Sequence, residues 1–130
     1  MNYLQKEIEG ELLSNSIEVV RVLGVELDDF LNYVEDVFYV SYSGLDPRFI
    51  RETSGCYDAD FWKKVVYQPE NFVYLMVLDD EWHVWRFQAP KDLQLLLGKT
   101  SGFIYWLIDS KKKVLVFCGD SDEVVWSRAE

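Results

Sequence analysis

The sequence predicts an α+β fold in which N-terminal helices pack on an antiparallel sheet of about four strands. Up to residue 38, apolar side chains recur with the spacing of amphipathic helices. From residue 72 onward, short apolar runs alternate with polar turn residues, and one helical segment lies between the second and the third run. The C-terminal half therefore has the predicted order ββαββ, and the 130 residues fit a single domain, 1–130.

The N-terminal part contains two clear helical patterns with an ambiguous segment between them. Leu4, Ile8 and Leu12 recur every fourth position, which predicts a first amphipathic helix. Residues 17–23 are β-branched enough for a strand, but Gly24 as a helix end favours a short helix. Residues 26–38, ELDDFLNYVEDVF, place apolar side chains on one face and acids on the other, so they form the clearest helix of the chain.

The middle of the chain is predicted to be an ordered connection. Residues 41–60 carry turn residues throughout, including the step from Asp46 to Pro47. Asp60 is predicted to cap a short helix over residues 61–66.

The C-terminal half is predicted to form two hairpins joined by a helix. FVYLMVL and WHVWRF, separated by DDE, form the first hairpin, and GFIYWLI and VLVFC, separated by DSKKK, form the second. Between them, Pro90 marks a helix start and Gly98 its C-terminal cap. The fully apolar runs imply strands that are covered on both faces or packed tightly against helices.

The net charge of −10 at pH 7 is unevenly distributed along the chain. Residues 1–60 hold thirteen acids against four bases, whereas residues 61–130 hold ten acids and nine bases. Such a field repels nucleic acid and anionic membranes and attracts basic molecules. The sequence therefore predicts a cognate protein with a basic surface as partner, and neither nucleic acid nor membrane. The same charge also suits a chain that is acidic only for solubility.

The sequence also predicts where the protein works. No positively charged start followed by an apolar stretch is present, so no secretory signal is expected. The longest apolar runs are too short to span a bilayer. Cys56 and Cys118 are too few for a disulfide framework. A cytoplasmic, reduced protein is expected.

No metal site and no cofactor are expected. A calcium-binding loop starting at Asp120 would need an oxygen ligand at its fifth position and a glycine at its sixth, but these are Val124 and Val125. One histidine and two distant cysteines do not have the spacing of zinc ligands.

Catalysis is not expected either. His83 lies in an alternating strand pattern that is more typical of a packing residue than of a base. Cys118 ends an apolar run, where a buried cysteine usually behaves as an inert small hydrophobe. A small hydrolase that uses His83 and a cysteine is the enzyme alternative.

Acids beside aromatic residues suit an interface in which aromatic side chains anchor the partner and charges steer it. Three clusters fit this description: the polar face of the helix 26–38, the region around Tyr57 and Trp62, and the loop after Cys118. Each cluster taken alone also suits an ordinary solvated surface. The candidate partner-binding residues are Asp28, Asp29, Glu35, Asp36, Asp58, Asp60, Asp120, Asp122 and Glu123.

The stretch LLLGKTSGFIYWLIDSKKKVLVFCGDSDEVVW resembles small acidic bacterial immunity proteins of polymorphic toxin systems. In that family an aromatic-rich strand leads to an aspartate, and a second apolar strand leads to a histidine–aspartate loop. The matching residues are Gly102, Phe103, Tyr105, Asp109 and the loop from Asp120 to Asp122. The departure is that Ser121 and Asp122 stand where the histidine–aspartate pair is often found.

This resemblance implies a toxin-neutralising binder without catalytic activity. The function expected from the sequence is therefore an immunity-like inhibitor that binds a cognate toxin, such as a basic nuclease, through its acidic surface. A phage-encoded inhibitor of a bacterial defence protein, using the same acidic mimicry, is the alternative within the binding class.

Overall fold

The computed structural model describes residues 2–100 and 102–130, in which helices pack on both faces of one antiparallel sheet. The elements in chain order are α1 (Tyr3–Ser14), β1 (Val19–Val22), α2 (Gly24–Phe38), a first 3₁₀ helix (Pro47–Phe49), β2 (Ser54–Tyr57), a second 3₁₀ helix (Phe61–Tyr67), β3 (Phe72–Asp79), β4 (Glu81–Phe87), α3 (Pro90–Lys99), β5 (Tyr105–Asp109), β6 (Val114–Cys118) and β7 (Glu123–Arg128). The strands lie in the order β1-β4-β3-β5-β6-β7-β2, and every neighbouring pair is antiparallel.

The sheet separates two hydrophobic cores. Side chains alternate along the strands except at an irregularity in β3, so Leu107 faces one core and its neighbour Ile108 faces the other. The first core lies under α1, α3 and the second 3₁₀ helix, which contribute Ile8, Leu93 and Val65. The second core lies under α2.

Helix α2 is the clearest helix in the sequence, and it buries the predicted face. Phe30, Val34 and Phe38 point into the second core from successive turns. Because helices cover both faces, β5 and β6 are buried along their whole length. This explains why those strands are apolar at every position except Asp109, and confirms that they are covered on both faces.

The predicted α+β class and antiparallel sheet are confirmed, but the number of strands is wrong. The described residues form seven strands rather than about four. After residue 72 the order is ββαβββ, because β7 follows the second hairpin. The N-terminal half supplies both edge strands, β1 and β2.

Strand β1 replaces the short helix that was favoured over residues 17–23. It pairs with β4 from Val19 opposite Phe87 to Val22 opposite Val84. Gly24 has a φ of +59° and is the first residue of α2, not the end of a preceding helix. A left-handed glycine suits either role, so the residue type marks a change of direction without telling which element precedes it.

Strand β2 lies within the predicted irregular connection. It pairs with β7 from Ser54 opposite Trp126 to Tyr57 opposite Glu123. All four of its residues are exposed. A short edge strand without a buried face has no alternation of apolar and polar residues, so its sequence resembles a loop.

One predicted helix cap is wrong, and the other is confirmed in position only. Pro90 does begin α3, but the helix passes through Gly98 and ends with Thr100 as its C-cap. Asp60 precedes the second 3₁₀ helix without a side-chain capping hydrogen bond. Among residues 2–100 and 102–130, every helix is too short or too polar to span a lipid bilayer.

Candidate functional site

The nine candidate acids fall on opposite sides of the sheet. Asp28, Asp29, Glu35 and Asp36 lie on α2, which covers the second core. The loop acids and Asp58 lie at the other face, where β7 and β2 meet the second 3₁₀ helix. Of the three predicted acidic clusters, the structure brings the loop acids and Asp58 together and leaves the acids of α2 on the opposite face.

The acids on α2 differ in their exposure and in their hydrogen bonds. Asp28 and Asp29 are exposed. The Glu35 carboxylate accepts hydrogen bonds from the backbone N–H groups of Ser43 (2.8 Å) and Leu45 (3.1 Å), so it holds the loop after α2 in place. Asp36 accepts a hydrogen bond from the Tyr42 hydroxyl, which raises the pKa of that tyrosine.

Four of the candidate acids surround one pocket of about 450 Å³, here called the acidic pocket. Its acidic lining residues are Asp58, Asp120, Asp122 and Glu123. The aromatic side chains that line it come from the second 3₁₀ helix, the segment before β5 and the first residue of β5, and they are Phe61, Trp62, Phe103 and Tyr105. Carboxylates and aromatic faces both attract a cation, so the lining suits a positively charged group.

Backbone hydrogen bonds fix the loop that carries these acids. The Gly119 N–H donates to the Glu123 carbonyl (3.0 Å), which closes the turn between β6 and β7. The Asp58 N–H donates to the Asp122 carbonyl (2.8 Å), which ties the same turn to the end of β2. Asp122 has a φ of +62°, a left-handed conformation that aspartate tolerates better than most residues.

The four carboxylates are not equally available. Asp58 accepts a hydrogen bond from the Lys64 ammonium at 2.7 Å, and this contact, together with the Asp60 N–H, lowers the pKa of Asp58. The Glu123 side chain folds against Gly119, where an added Cβ would lie 2.1 Å from its Oε1. Asp120 and Asp122 are exposed.

Asp120 and Asp122 have no ion-pair partner among residues 2–100 and 102–130. Asp60 instead pairs with Lys63 at 3.3 Å and does not line the pocket. The two free loop carboxylates are therefore the strongest candidates for contact with a partner.

The aromatic wall of the pocket is packed tightly. Phe103 and Tyr105 meet edge to face with ring centroids 5.6 Å apart. Trp62 lies so close to α3 that a Cβ built on Gly98 would come within 2.8 Å of the indole ring. Burial raises the pKa of Tyr105, so its hydroxyl stays protonated at neutral pH.

The sequence analysis named the four acids and Trp62, but it did not predict that they line one pocket. Phe103 and Tyr105 come from a segment expected to be an ordinary strand, and Tyr57 is exposed outside the pocket. The only sequence signal for these two aromatics was their match to the immunity-protein pattern.

His83 and the two cysteines do not come together. His83 lies on β4, Cys118 on β6 and Cys56 on β2, which are three and five strand positions away. At about 4.8 Å per strand, the backbones are roughly 14 Å and 24 Å from that of His83. No histidine–cysteine dyad is therefore assembled in this fold.

Each of these residues also has a local environment that explains it. His83 is buried, and its Nδ1 lies 2.9 Å from an Arg21 guanidinium nitrogen and its Nε2 lies 3.0 Å from the Asn2 side-chain oxygen. Because guanidinium only donates, Nδ1 accepts and Nε2 donates. Burial raises the pKa of the Cys118 thiol to about 12, which keeps it in the weakly nucleophilic thiol form.

Within residues 2–100 and 102–130, no group of three or more histidine, cysteine, aspartate or glutamate side chains is arranged to hold a metal ion. In comparisons with known proteins, no family model matches the chain, and neither a curated protein nor a solved structure matches it.

Proposed function

We propose that this chain is a protein-binding inhibitor of the immunity type, which neutralises a cognate protein with a basic surface. The observation that supports this most strongly is the acidic pocket, where Asp120 and Asp122 are exposed, unpaired and held on a hydrogen-bonded turn. Rigid charges lose less entropy on binding than charges on mobile segments. The pocket therefore suits a specific partner better than a merely solvated turn would.

The proposed mechanism is occlusion of the partner's basic site. A lysine or arginine side chain of the partner enters the acidic pocket, where the loop carboxylates pair with its charge and Trp62 offers an aromatic face. If the partner is a nuclease toxin, these carboxylates occupy the positions that substrate phosphates would take. The net charge of −10 speeds the encounter because it attracts a basic protein over a long range.

The decisive experiment uses two matched variants. Asp120→Asn with Asp122→Asn removes two charges from the acidic pocket, and Asp28→Asn with Asp29→Asn removes two from α2 on the opposite face. Asparagine also accepts the left-handed conformation at position 122, so the turn is preserved. Both variants change the net charge equally.

The partner is obtained by affinity capture from the native host, and its gene is compared with the genes that flank this one. We expect the captured protein to inhibit growth when expressed alone in another bacterium and this chain to restore growth. The pocket variant should weaken binding by about 2 kcal/mol or more, the usual size of a hot spot, and should fail to restore growth.

The α2 variant is expected to lose less than about 1 kcal/mol of binding, as rim charges do. Equal losses for the two variants would show that only net charge matters and would refute the role of the pocket. A captured protein that is not toxic, and whose activity this chain does not inhibit, would refute the inhibitor function itself.

A further inference from the structure

Strand β2 leaves one edge of the sheet open beside the acidic pocket. It is the last strand in the sheet order and pairs with β7, and within residues 2–100 and 102–130 no strand lies beyond it. All four of its residues are exposed. The strand contains neither lysine nor proline, which natural proteins often place on a free edge to prevent pairing. The edge is therefore open to a further strand.

The hydrogen bonds to β7 show which backbone groups of β2 face outward. The Asp58 N–H donates to the Asp122 carbonyl at 2.8 Å, in the register that the two strands follow. Hydrogen-bonded and non-hydrogen-bonded pairs alternate in an antiparallel ladder, so Cys56 also bonds to β7. Gly55 and Tyr57 occupy the alternate positions. Their N–H and C=O groups therefore point away from the sheet, where an added strand can reach them.

The two faces of β2 differ in what lies beside them. Cys56 lies opposite Val124 of the first core, so its side chain is on the side of the acidic pocket. Asp58, two residues further, lines that pocket. Tyr57 is on the other side of the sheet by alternation, and 81% of it is exposed. An added strand would thus place one row of side chains beside the acidic pocket and the other beside an exposed aromatic ring.

The charge around β2 favours a basic segment. The two lysines that follow the strand each pair with an aspartate. Glu52 before the strand and the loop acids Asp120 and Asp122 have no ion-pair partner in the described part of the chain. The free edge of β1, at the other end of the sheet, instead lies beside the exposed Arg86. Charge complementarity therefore selects a basic partner at β2 and not at β1.

We propose that β2 binds an extended basic segment of the partner as an additional antiparallel strand. The proposal rests on the proposed inhibitor function, because it describes how the same partner docks. The residues of the segment opposite Gly55 and Tyr57 exchange backbone hydrogen bonds with them and carry β-branched side chains that pack on the tyrosine ring. The residues between them are lysine or arginine, whose side chains lie on the side of the acidic pocket.

The test uses a synthetic hexapeptide of alternating lysine and valine with blocked ends, together with two versions methylated on backbone nitrogens. Methyl groups on the valine nitrogens remove the N–H groups that would face β2, whereas methyl groups on the lysine nitrogens remove those that would face solvent. All three peptides have the same charge. We expect valine methylation to weaken binding about tenfold or more, as the loss of two hydrogen bonds does, and lysine methylation to leave it unchanged.

Amide signals of the ¹⁵N-labelled protein report where the peptide binds. The signals of Gly55 and Tyr57 should shift, and their exchange with water should slow, because both N–H groups gain an acceptor. The Cys56 amide should exchange at an unchanged rate, because it already donates to β7. A hexapeptide of alternating glutamate and valine should leave all three signals in place.

A matched pair of variants tests the edge from the side of the protein. Gly55→Pro removes one outward N–H, whereas Gly55→Ala keeps it, and both add a Cβ that meets the end of the flexible Glu52 side chain at 3.2 Å. We expect the proline variant to bind the lysine–valine peptide about fivefold more weakly, as the loss of one hydrogen bond does. The alanine variant should bind it like wild type. If the proline variant fails to fold, the three peptides still decide on the wild-type protein.

Equal binding of the two methylated peptides would overturn strand addition and leave charge attraction alone. Gly55 and Tyr57 signals that stay in place up to the solubility limit of the peptide would overturn it as well. The inhibitor function fails separately, because it depends on the captured partner. If Asp120→Asn with Asp122→Asn weakens that partner but the peptide does not add to β2, strand addition is wrong and the inhibitor function stands.

Discussion

Asp109 and Asp120 show how differently two carboxylates act in the same half of the chain. Asp109 is buried, and one of its oxygens accepts hydrogen bonds from the backbone N–H groups of Lys113 (2.7 Å) and Val114 (2.9 Å). It therefore closes the turn between β5 and β6 from inside. Asp120 is exposed on the next turn, in the acidic pocket. The immunity-protein resemblance matched both residues, but only Asp120 is exposed.

Replacing Asp109 should accordingly cost stability. Asp109→Ala leaves two backbone donors without their acceptor, and we expect the free energy of unfolding to fall by about 2 kcal/mol. Asp109→Asn keeps one acceptor oxygen and should lose about half as much. Urea unfolding measures both values. Asp120→Ala is the control and should stay within about 0.5 kcal/mol of wild type. If Asp109→Ala were as mild as this control, the two hydrogen bonds would not contribute measurably to folding.

At the scale of elements, the sequence predicts the helices and strands that burial defines and misses the strands that it does not. Helix α2 and strands β3 to β6 follow from periodic or continuous apolar patterns, because each buries one or both faces. Strand β2 is fully exposed and β1 has only four residues, so hydrogen bonding to a neighbour defines them rather than their side chains. Strand β7 was not predicted, because the acids before it resemble a surface loop.

The candidate site was predictable to a similar extent. The unpaired loop acids stand out in the sequence because they cluster directly after an apolar strand. The sequence did not show that Lys64 neutralises Asp58 or that Glu35 holds a backbone loop. These contacts depend on side-chain geometry between residues that lie 6 positions apart in the first case and 8 or 10 apart in the second.

Two helix glycines provide a matched prediction about packing. Gly10 in α1 has nothing within 4 Å of an added Cβ, whereas in α3 the Cβ of residue 98 would lie 2.8 Å from the Trp62 ring. Gly10→Ala should raise the free energy of unfolding by about 0.5–1 kcal/mol, because alanine is the better helix former. Gly98→Ala should instead lower it by about 1 kcal/mol, because the clash with the indole outweighs the helix gain.

Thermal or urea unfolding of the two variants gives the comparison directly. Trp62→Leu combined with Gly98→Ala is the check on the cause, since removing the indole should restore most of the lost stability relative to Trp62→Leu alone. An equal gain from both glycine variants would mean that Trp62 moves aside freely, and the wall of the acidic pocket would then be less rigid than proposed.

At the scale of the whole molecule, exposed acids without an ion-pair partner lie on both sides of the sheet. Asp28 and Asp29 lie on α2, and Asp120 and Asp122 lie by the acidic pocket, all exposed. The net charge of −10 is therefore carried at the surface, where salt screens it effectively. These negative charges also repel one another within the folded chain.

Salt should consequently act in opposite directions on folding and on binding. At about 10 mM salt the Debye length is roughly 30 Å, larger than the domain radius, so all charges repel one another, while at about 150 mM it is roughly 8 Å. Raising NaCl between these values should stabilise the isolated protein by about 1 kcal/mol, or roughly 3–5 °C in melting temperature. The rate of association with the captured partner should fall about tenfold or more over the same range.

A variant with asparagine at positions 28, 29, 120 and 122 has a net charge of −6 instead of −10, so both salt effects should shrink in it. Calorimetry and stopped-flow mixing measure the two effects. A melting temperature that falls with salt would mean that ion pairs such as Lys64 with Asp58 outweigh the general repulsion, and an unchanged association rate would leave binding intact but remove electrostatic steering from it.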